Sequence, residues 1–170
     1  MPTIQTTTAR LVLVLDELLT LADAHERAEL DRYRRLAFNF LTFNTATSRL
    51  MASLGIQCER RVEELNRLAK RLGIDPASAG GAKQRHGHRA HSTHRFFIDG
   101  QAAALDELQQ AIAGADYSLR FYEHLQEASA IPALYPALSA MIRQKRAEHA
   151  VLQEYLACYC DTRRAARRTG

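Results

Sequence analysis

The chain has 170 residues, of which 46% are hydrophobic and 25% are charged, and its formal net charge is +4. This usage is typical of a globular domain and excludes a disordered chain, which combines low hydrophobicity with high charge. The apolar run at residues 11–15 is followed directly by Asp16 and Glu17, so it predicts neither a membrane span nor a signal peptide. We therefore expect a cytoplasmic protein with one core.

The excess positive charge lies in two stretches. Residues 76–98 contain four basic residues and no acid, and residues 161–170 contain four arginines and one aspartate. We expect a domain over residues 1–160, followed by a basic tail over residues 161–170. Because basic tails commonly serve solubility, we expect these charges not to bind nucleic acid.

Two amphipathic helices are predicted in the first half of the chain. Apolar residues recur at the spacing of one helix face from Thr8 to Phe40. Asn44 and the threonines after it are suited to cap a second helix, whose apolar face continues to Leu72. Gly73 is well placed to end that helix.

The second half predicts a long connection and two more helices. Residues 76–98 lack apolar periodicity and are rich in histidine and arginine, so we expect an exposed crossover loop. A third helix follows Gly100, and a fourth begins at Pro132, because proline fits the first helical turn. The predicted fold is an all-α, antiparallel four-helix bundle.

Two stretches resemble the ferritin-like superfamily, particularly its rubrerythrin-related members. HERAELDRYRRLA places Glu26 seven residues before Tyr33, as the family's first helix places a ligand glutamate before a core tyrosine. AIAGADYSLRFYEHL resembles the third helix, with Tyr122 at the tyrosine position. In such proteins a di-iron centre takes one glutamate from each of two helices and a Glu-x-x-His pair from each of the others.

Most of these ligands are replaced here. The resemblance keeps Glu26 on the first helix and His149 on the fourth. The other family-ligand positions hold residues that do not bind iron in this family, namely Cys58, Arg61, Ala115 and Arg146. Two arginines would repel iron, so the sequence argues against a standard di-iron centre and leaves the cofactor unknown.

The two arginines allow two interpretations. Either Glu26 pairs with Arg61 and Arg146, so that fixed cations replace the charge of the metal, or both arginines extend into solvent. A further hypothesis is a small-ligand pocket in the bundle core near Tyr33, Tyr122, Cys58 and His149.

A histidine-rich tract offers a separate metal hypothesis. Clustered imidazoles can chelate zinc, nickel or copper, although the neighbouring arginines oppose cation binding. The tract RHGHRAHSTH contains four such residues, His86, His88, His91 and His94. The three cysteines match no zinc or redox pair spacing, so we expect inert thiols.

The sequence favours a non-catalytic interaction or scaffold protein, since the scaffold is present and its metal ligands are replaced. Such bundles can pair into homo-oligomers through exposed apolar strips, and four phenylalanines are candidates, Phe38, Phe43, Phe96 and Phe97. The alternative for these phenylalanines is that they close the ends of the core. The alternative is a metal-binding protein that uses the histidine tract or an atypical bundle site with oxidoreductase activity. A protein partner is not identified by the sequence.

Overall fold

The computed structural model describes the backbone of residues 3–74 and 97–168 and the side chains of residues 15–74 and 97–162. Within these ranges all regular structure is helical. The elements are four long helices and one short 3-10 helix: α1 (Thr3–Phe40), α2 (Thr45–Arg71), α3 (Gln101–Ala128), the 3-10 helix (Pro132–Leu134) and α4 (Tyr135–Arg168). No described helix is both long and apolar enough to cross a membrane.

The predicted ends of α2 are confirmed. The side chain of Asn44 accepts a hydrogen bond from the Thr47 amide at 3.0 Å, which satisfies a backbone donor of the first turn. Gly73 has a φ of 74°, the left-handed conformation that glycine adopts readily. The Gly73 and Ile74 amides then donate to the carbonyls of Lys70 and Ala69, as in a Schellman cap.

The ends of the other helices depart from the predictions at two places. α1 begins at Thr3, five residues before the predicted start at Thr8. Pro132 begins the 3-10 helix, and α4 follows it at Tyr135. α4 then continues to Arg168, so its helical backbone includes most of the predicted basic tail.

The chain divides into two compact units, Met1–Phe97 and Ile98–Gly170. In the first unit α1 packs on α2, and in the second α3 packs on α4. A hydrogen bond joins α3 to α4 near their connection: the Gln126 side-chain amide donates to the Ser139 hydroxyl at 2.7 Å.

The order of contacts along α1 is the reverse of that along α2. Ala37, near the end of α1, accepts a hydrogen bond from the Ser48 hydroxyl at 2.7 Å near the start of α2. Glu26 lies eleven residues earlier in α1 and contacts Arg61, which lies later in α2. Gly55 lies between these contacts and brings α2 close to Tyr33.

Two described residues that follow α2 lie far apart on the α1–α2 pair. They are Ile74, close behind the helix, and Phe97, the next described residue along the chain. Ile74 follows the far end of α2, whose 27 residues span about 40 Å. Phe97 contacts Phe38 near the other end, with ring centroids 5.3 Å apart. Ile74 and Phe97 therefore lie at opposite ends of the α1–α2 pair.

Candidate functional site

The buried face of α1 carries two carboxylates as well as apolar residues. Glu26, Glu29 and Tyr33 are separated by three and four residues, which places them on one side of the helix. All three are buried, and Glu26 and Tyr33 are completely so. Buried carboxylates need compensating partners, because an isolated ionised group in a dry interior is very costly.

Arg61 of α2 supplies the partner for Glu26. Its Nε donates to Glu26 Oε2 at 2.8 Å, and the two side chains are 3% and 0% exposed. Its Nη2 contacts the Cys58 sulfur at 3.1 Å, one helical turn earlier on α2. We call these three residues the Glu26–Arg61–Cys58 cluster. It confirms the ion-pair interpretation for Arg61 and brings together three of the predicted family-ligand positions.

A second pair lies within α1 itself. Arg32 holds Glu29 through two hydrogen bonds, from Nε to Oε1 at 3.1 Å and from Nη2 to Oε2 at 2.7 Å. The same guanidinium lies 4.6 Å from the centroid of the Tyr33 ring, within the range of a cation–π contact. Glu29 and Arg32 were not singled out from the sequence, although Glu29 follows Glu26 by three residues on the same helix face.

In the second unit, α3 repeats the seven-residue spacing between Glu26 and Tyr33 of α1, with alanine in place of the glutamate. Ala115 and Tyr122 are seven residues apart, and both are completely buried. The ring of Phe121 meets Tyr122 edge to face at a centroid distance of 5.2 Å. The position predicted for a glutamate thus contains only a methyl group.

On α4 the buried charged residues are Lys145 and Glu148, not the neighbouring Arg146 and His149. Lys145 Nζ lies 3.8 Å from Glu148 Oε2, and the side chains are 0% and 3% exposed. Arg146 is 65% exposed and donates to Glu123 at 3.2 Å. It therefore extends into solvent, as the second interpretation of the arginines predicted. His149 is half-buried.

A sequence signal for Lys145 and Glu148 exists in the spacing of the buried residues. Steps of three and four residues along α4 connect the buried set Leu138, Met141, Lys145, Glu148 and Leu152. A search that follows only the apolar residues and His149 along α4 therefore misses Lys145 and Glu148.

Comparisons of the chain with protein families, curated proteins and solved structures found no match. The likeness to the ferritin-like superfamily therefore rests on the sequence patterns alone and stays a prediction.

The donor set around Glu26 does not fit a di-iron centre. Iron needs carboxylates and imidazoles free to bind it, whereas Glu26 Oε2 is held by a guanidinium beside a thiol. Among the described residues no three histidine, cysteine, aspartate or glutamate side chains are grouped closely enough to hold a metal ion. His86, His88, His91 and His94 lie outside the described residues.

The core pocket proposed from the sequence near Tyr33, Tyr122, Cys58 and His149 stays a prediction. Tyr33, Tyr122 and Cys58 are completely buried, and His149 is half-buried. A separate open groove of about 500 Å³ lies between α3 and α4. It is lined by uncharged residues: Gln109, Ile112, Gln153, Leu156, Ala157 and Cys160. All three cysteines are free thiols.

Proposed function

We propose that this chain is a ferritin-like, antiparallel four-helix bundle that acts as a non-catalytic interaction or scaffold protein. The observation that carries the proposal is the ion pair between Glu26 and Arg61, buried at positions where related proteins hold metal ligands. In this proposal a fixed cation supplies the positive charge that iron supplies in the related proteins.

The topology of the first unit supports the ferritin-like part of the proposal. The reversed order of contacts between Ala37–Ser48 and Glu26–Arg61 is that of two antiparallel helices. Ile74 and Phe97 lie at opposite ends of this pair, as a long crossover between the second and third helices requires. At about 3.3 Å per residue, the chain between them is long enough for that distance.

Electrostatics support the absence of metal chemistry from the proposed role. A metal ion at the Glu26–Arg61–Cys58 cluster would have to displace the guanidinium and would then lie close to its charge. The repulsion between two cations at contact distance is large in a dry interior. The cluster therefore fits a structural role, in which it selects one helix register without necessarily adding stability.

An exposed aromatic patch supports the interaction part of the proposal. Phe38 and Phe97 contact each other, yet they remain 51% and 47% exposed. Leu41, three residues after Phe38, is 53% exposed. Phe43 is half-buried and Phe96 lies outside the described residues. We propose that the Phe38–Leu41–Phe97 patch pairs two copies of the chain.

Elemental analysis tests the first half of the proposal. Untagged protein purified without chelator should contain no stoichiometric iron or manganese, before and after incubation with Fe²⁺ under anaerobic conditions. Stoichiometric iron that disappears in a Glu26→Ala, His149→Ala variant would overturn the proposal and favour an oxidoreductase. Zinc or nickel that is lost with the histidine tract would favour the metal-binding alternative.

Light scattering across a concentration series tests the second half. The wild type should form a dimer, and the Phe38→Gln, Phe97→Gln variant should be monomeric. Leu21→Gln is a matched control, because Leu21 is a similarly exposed apolar residue on α1, at 43%. A monomeric wild type, or a dimer that survives the double substitution, would remove the patch from the proposal.

A further inference from the structure

The last turns of α4 extend beyond its partner helix in the second unit. α3 begins at Gln101, whose side-chain amide donates to the Tyr159 hydroxyl at 2.9 Å. α4 continues from Tyr159 to Arg168. Nine residues of α-helix rise about 13 Å, so this end of α4 has no counterpart in α3.

This end of the helix concentrates positive charge. Residues 161–168, which we call the basic overhang, contain one aspartate and four arginines: Arg163, Arg164, Arg167 and Arg168. Positions four apart are neighbours on a helix, so backbone positions 163 and 167 are neighbours, as are positions 164 and 168. The four positions fall within about 140° of arc at 3.6 residues per turn. All four positions therefore share one side of the helix.

The helical backbone lowers the entropic cost of binding through several arginines at once. In a flexible tail, arginines that bind together must first be ordered, which costs conformational entropy. On a helix their backbone positions are already fixed relative to one another. The helix is itself favoured by this arrangement, because cations near a helix C-terminus interact well with its dipole.

The composition of the overhang selects among anionic partners. Besides arginine it contains only aspartate, threonine and alanine, so it has no aromatic or large aliphatic residue. Protein interfaces usually centre on such anchors, membrane-surface helices need an apolar face, and single-stranded nucleic acids stack on aromatic rings. Duplex phosphates require only cations, and guanidinium binds phosphate through two parallel hydrogen bonds.

We infer, against the expectation from the sequence alone, that the basic overhang binds the phosphate backbone of a nucleic-acid duplex without reading its sequence. The inference goes beyond the proposed scaffold role and does not depend on it. The four arginines act as one phosphate-binding face, and the body of the protein is held beside the duplex as a consequence.

Fluorescence anisotropy of the full chain with labelled 20-base-pair DNA and RNA duplexes of unrelated sequence tests the inference. Binding should be independent of sequence and should weaken about 100-fold between 50 and 200 mM salt. For about four phosphate contacts the logarithm of the association constant should fall with that of salt at a slope near −3.6. No binding at 50 mM salt would overturn the inference.

Two charge variants locate the binding face. Replacing the four overhang arginines with glutamine, a good helix former, should abolish the salt-dependent binding, whereas lysine at the same positions should retain most of it. The matched control replaces four basic residues in another stretch of the chain with glutamine: Lys83, Arg85, Arg89 and Arg95. Loss of binding in the control, with retention in the overhang variant, would overturn the inference.

Vesicles containing phosphatidylserine and a polyglutamate peptide are the competing probes. The inference expects both to bind more weakly than either duplex at equal salt. Tighter binding to the vesicles would instead indicate a membrane surface as the partner. Tighter binding to polyglutamate would indicate an acidic protein, and either result would overturn the nucleic-acid assignment.

Discussion

Arg61 donates from Nε to Glu26 at 2.8 Å, and both side chains are removed from solvent. The same guanidinium reaches Cys58 at 3.1 Å, so one residue of α2 connects its own helix to a carboxylate of α1. The pair thus links α1 and α2 through a buried contact between opposite charges.

Removing one partner of this pair should be strongly destabilising. We expect Glu26→Gln, which keeps the volume but removes the charge, to lower the free energy of unfolding by about 3 kcal/mol, because Arg61 then stays buried without its counter-ion. Urea unfolding followed by circular dichroism measures the change. A loss below about 1 kcal/mol would contradict a buried, energetically coupled pair.

The exposed pair Arg34–Glu59 connects the same two helices and provides the control. Glu59→Gln should cost no more than about 1 kcal/mol, since exposed ion pairs contribute little. In a Glu26→Gln, Arg61→Met variant the loss should be smaller than the sum of the two single losses. Simple additivity would contradict a direct interaction between them.

The ends of α2 could be predicted from the sequence because their causes are local. Asn44 and Gly73 act on their own backbone or on residues a few positions away. The start of α1 could not be placed as well, because Thr3, Thr6, Thr7 and Thr8 are all capping-type residues and do not single out one position.

The charged positions were only half predictable. Glu26 and Arg61 were found because the family pattern names their positions, and the structure pairs them. On α4 the same reasoning selected Arg146 and His149, one residue after the buried Lys145 and Glu148. One residue on a helix is a rotation of about 100°, which is enough to exchange core for solvent. A pattern of apolar residues does not fix that rotation where the buried residues are themselves charged.

The two glycines at α2 should respond to alanine in opposite directions. A Cβ added at Gly55 would lie 3.7 Å from Leu30 Cδ1 and from Tyr33 Cβ, which are ordinary contacts. Gly55→Ala should therefore stabilise the protein by about 0.5–1 kcal/mol, through the higher helix propensity of alanine. Gly73→Ala should destabilise it by about 1 kcal/mol, because alanine is strained at a φ of 74°.

Thermal unfolding of both glycine variants checks these signs. The expected result is a higher melting temperature for Gly55→Ala and a lower one for Gly73→Ala. A destabilised Gly55→Ala variant would mean that α1 and α2 approach more closely than the 3.7 Å contacts indicate.

The three thiols should react at different rates with a disulfide reagent. Cys158 is exposed, Cys160 is half-buried and Cys58 is completely buried beside Arg61. We expect two fast equivalents and one slow equivalent, since a buried thiol reacts only when the structure opens. In a Cys158→Ser, Cys160→Ser background the remaining reaction should accelerate about 100-fold with Glu26→Gln, the ratio that corresponds to about 3 kcal/mol. Rapid reaction of all three thiols would contradict the burial of Cys58.

The last prediction concerns the space that Arg61 occupies. If its guanidinium stands where ferritin-like proteins hold a metal, then Cys58→Glu with Arg61→His should create a divalent metal site together with Glu26. The two substitutions remove a cation and provide a carboxylate and an imidazole one turn apart, as in a Glu-x-x-His pair. Titration calorimetry with Co²⁺ or Mn²⁺ should give at least about tenfold tighter binding than in the wild type.

A control with the same spacing separates this site from a surface chelate. Gln57 and Arg60 are exposed and lie one residue before Cys58 and Arg61 on α2. Gln57→Glu with Arg60→His therefore adds the same two ligands on the solvent side, without Glu26, and should bind metal no better than an exposed pair of ligands does. Glu26→Gln should abolish the gain in the buried variant and leave the control unchanged. Equal binding in both variants, or a folded buried variant that binds no metal, would show that Arg61 does not occupy a metal position.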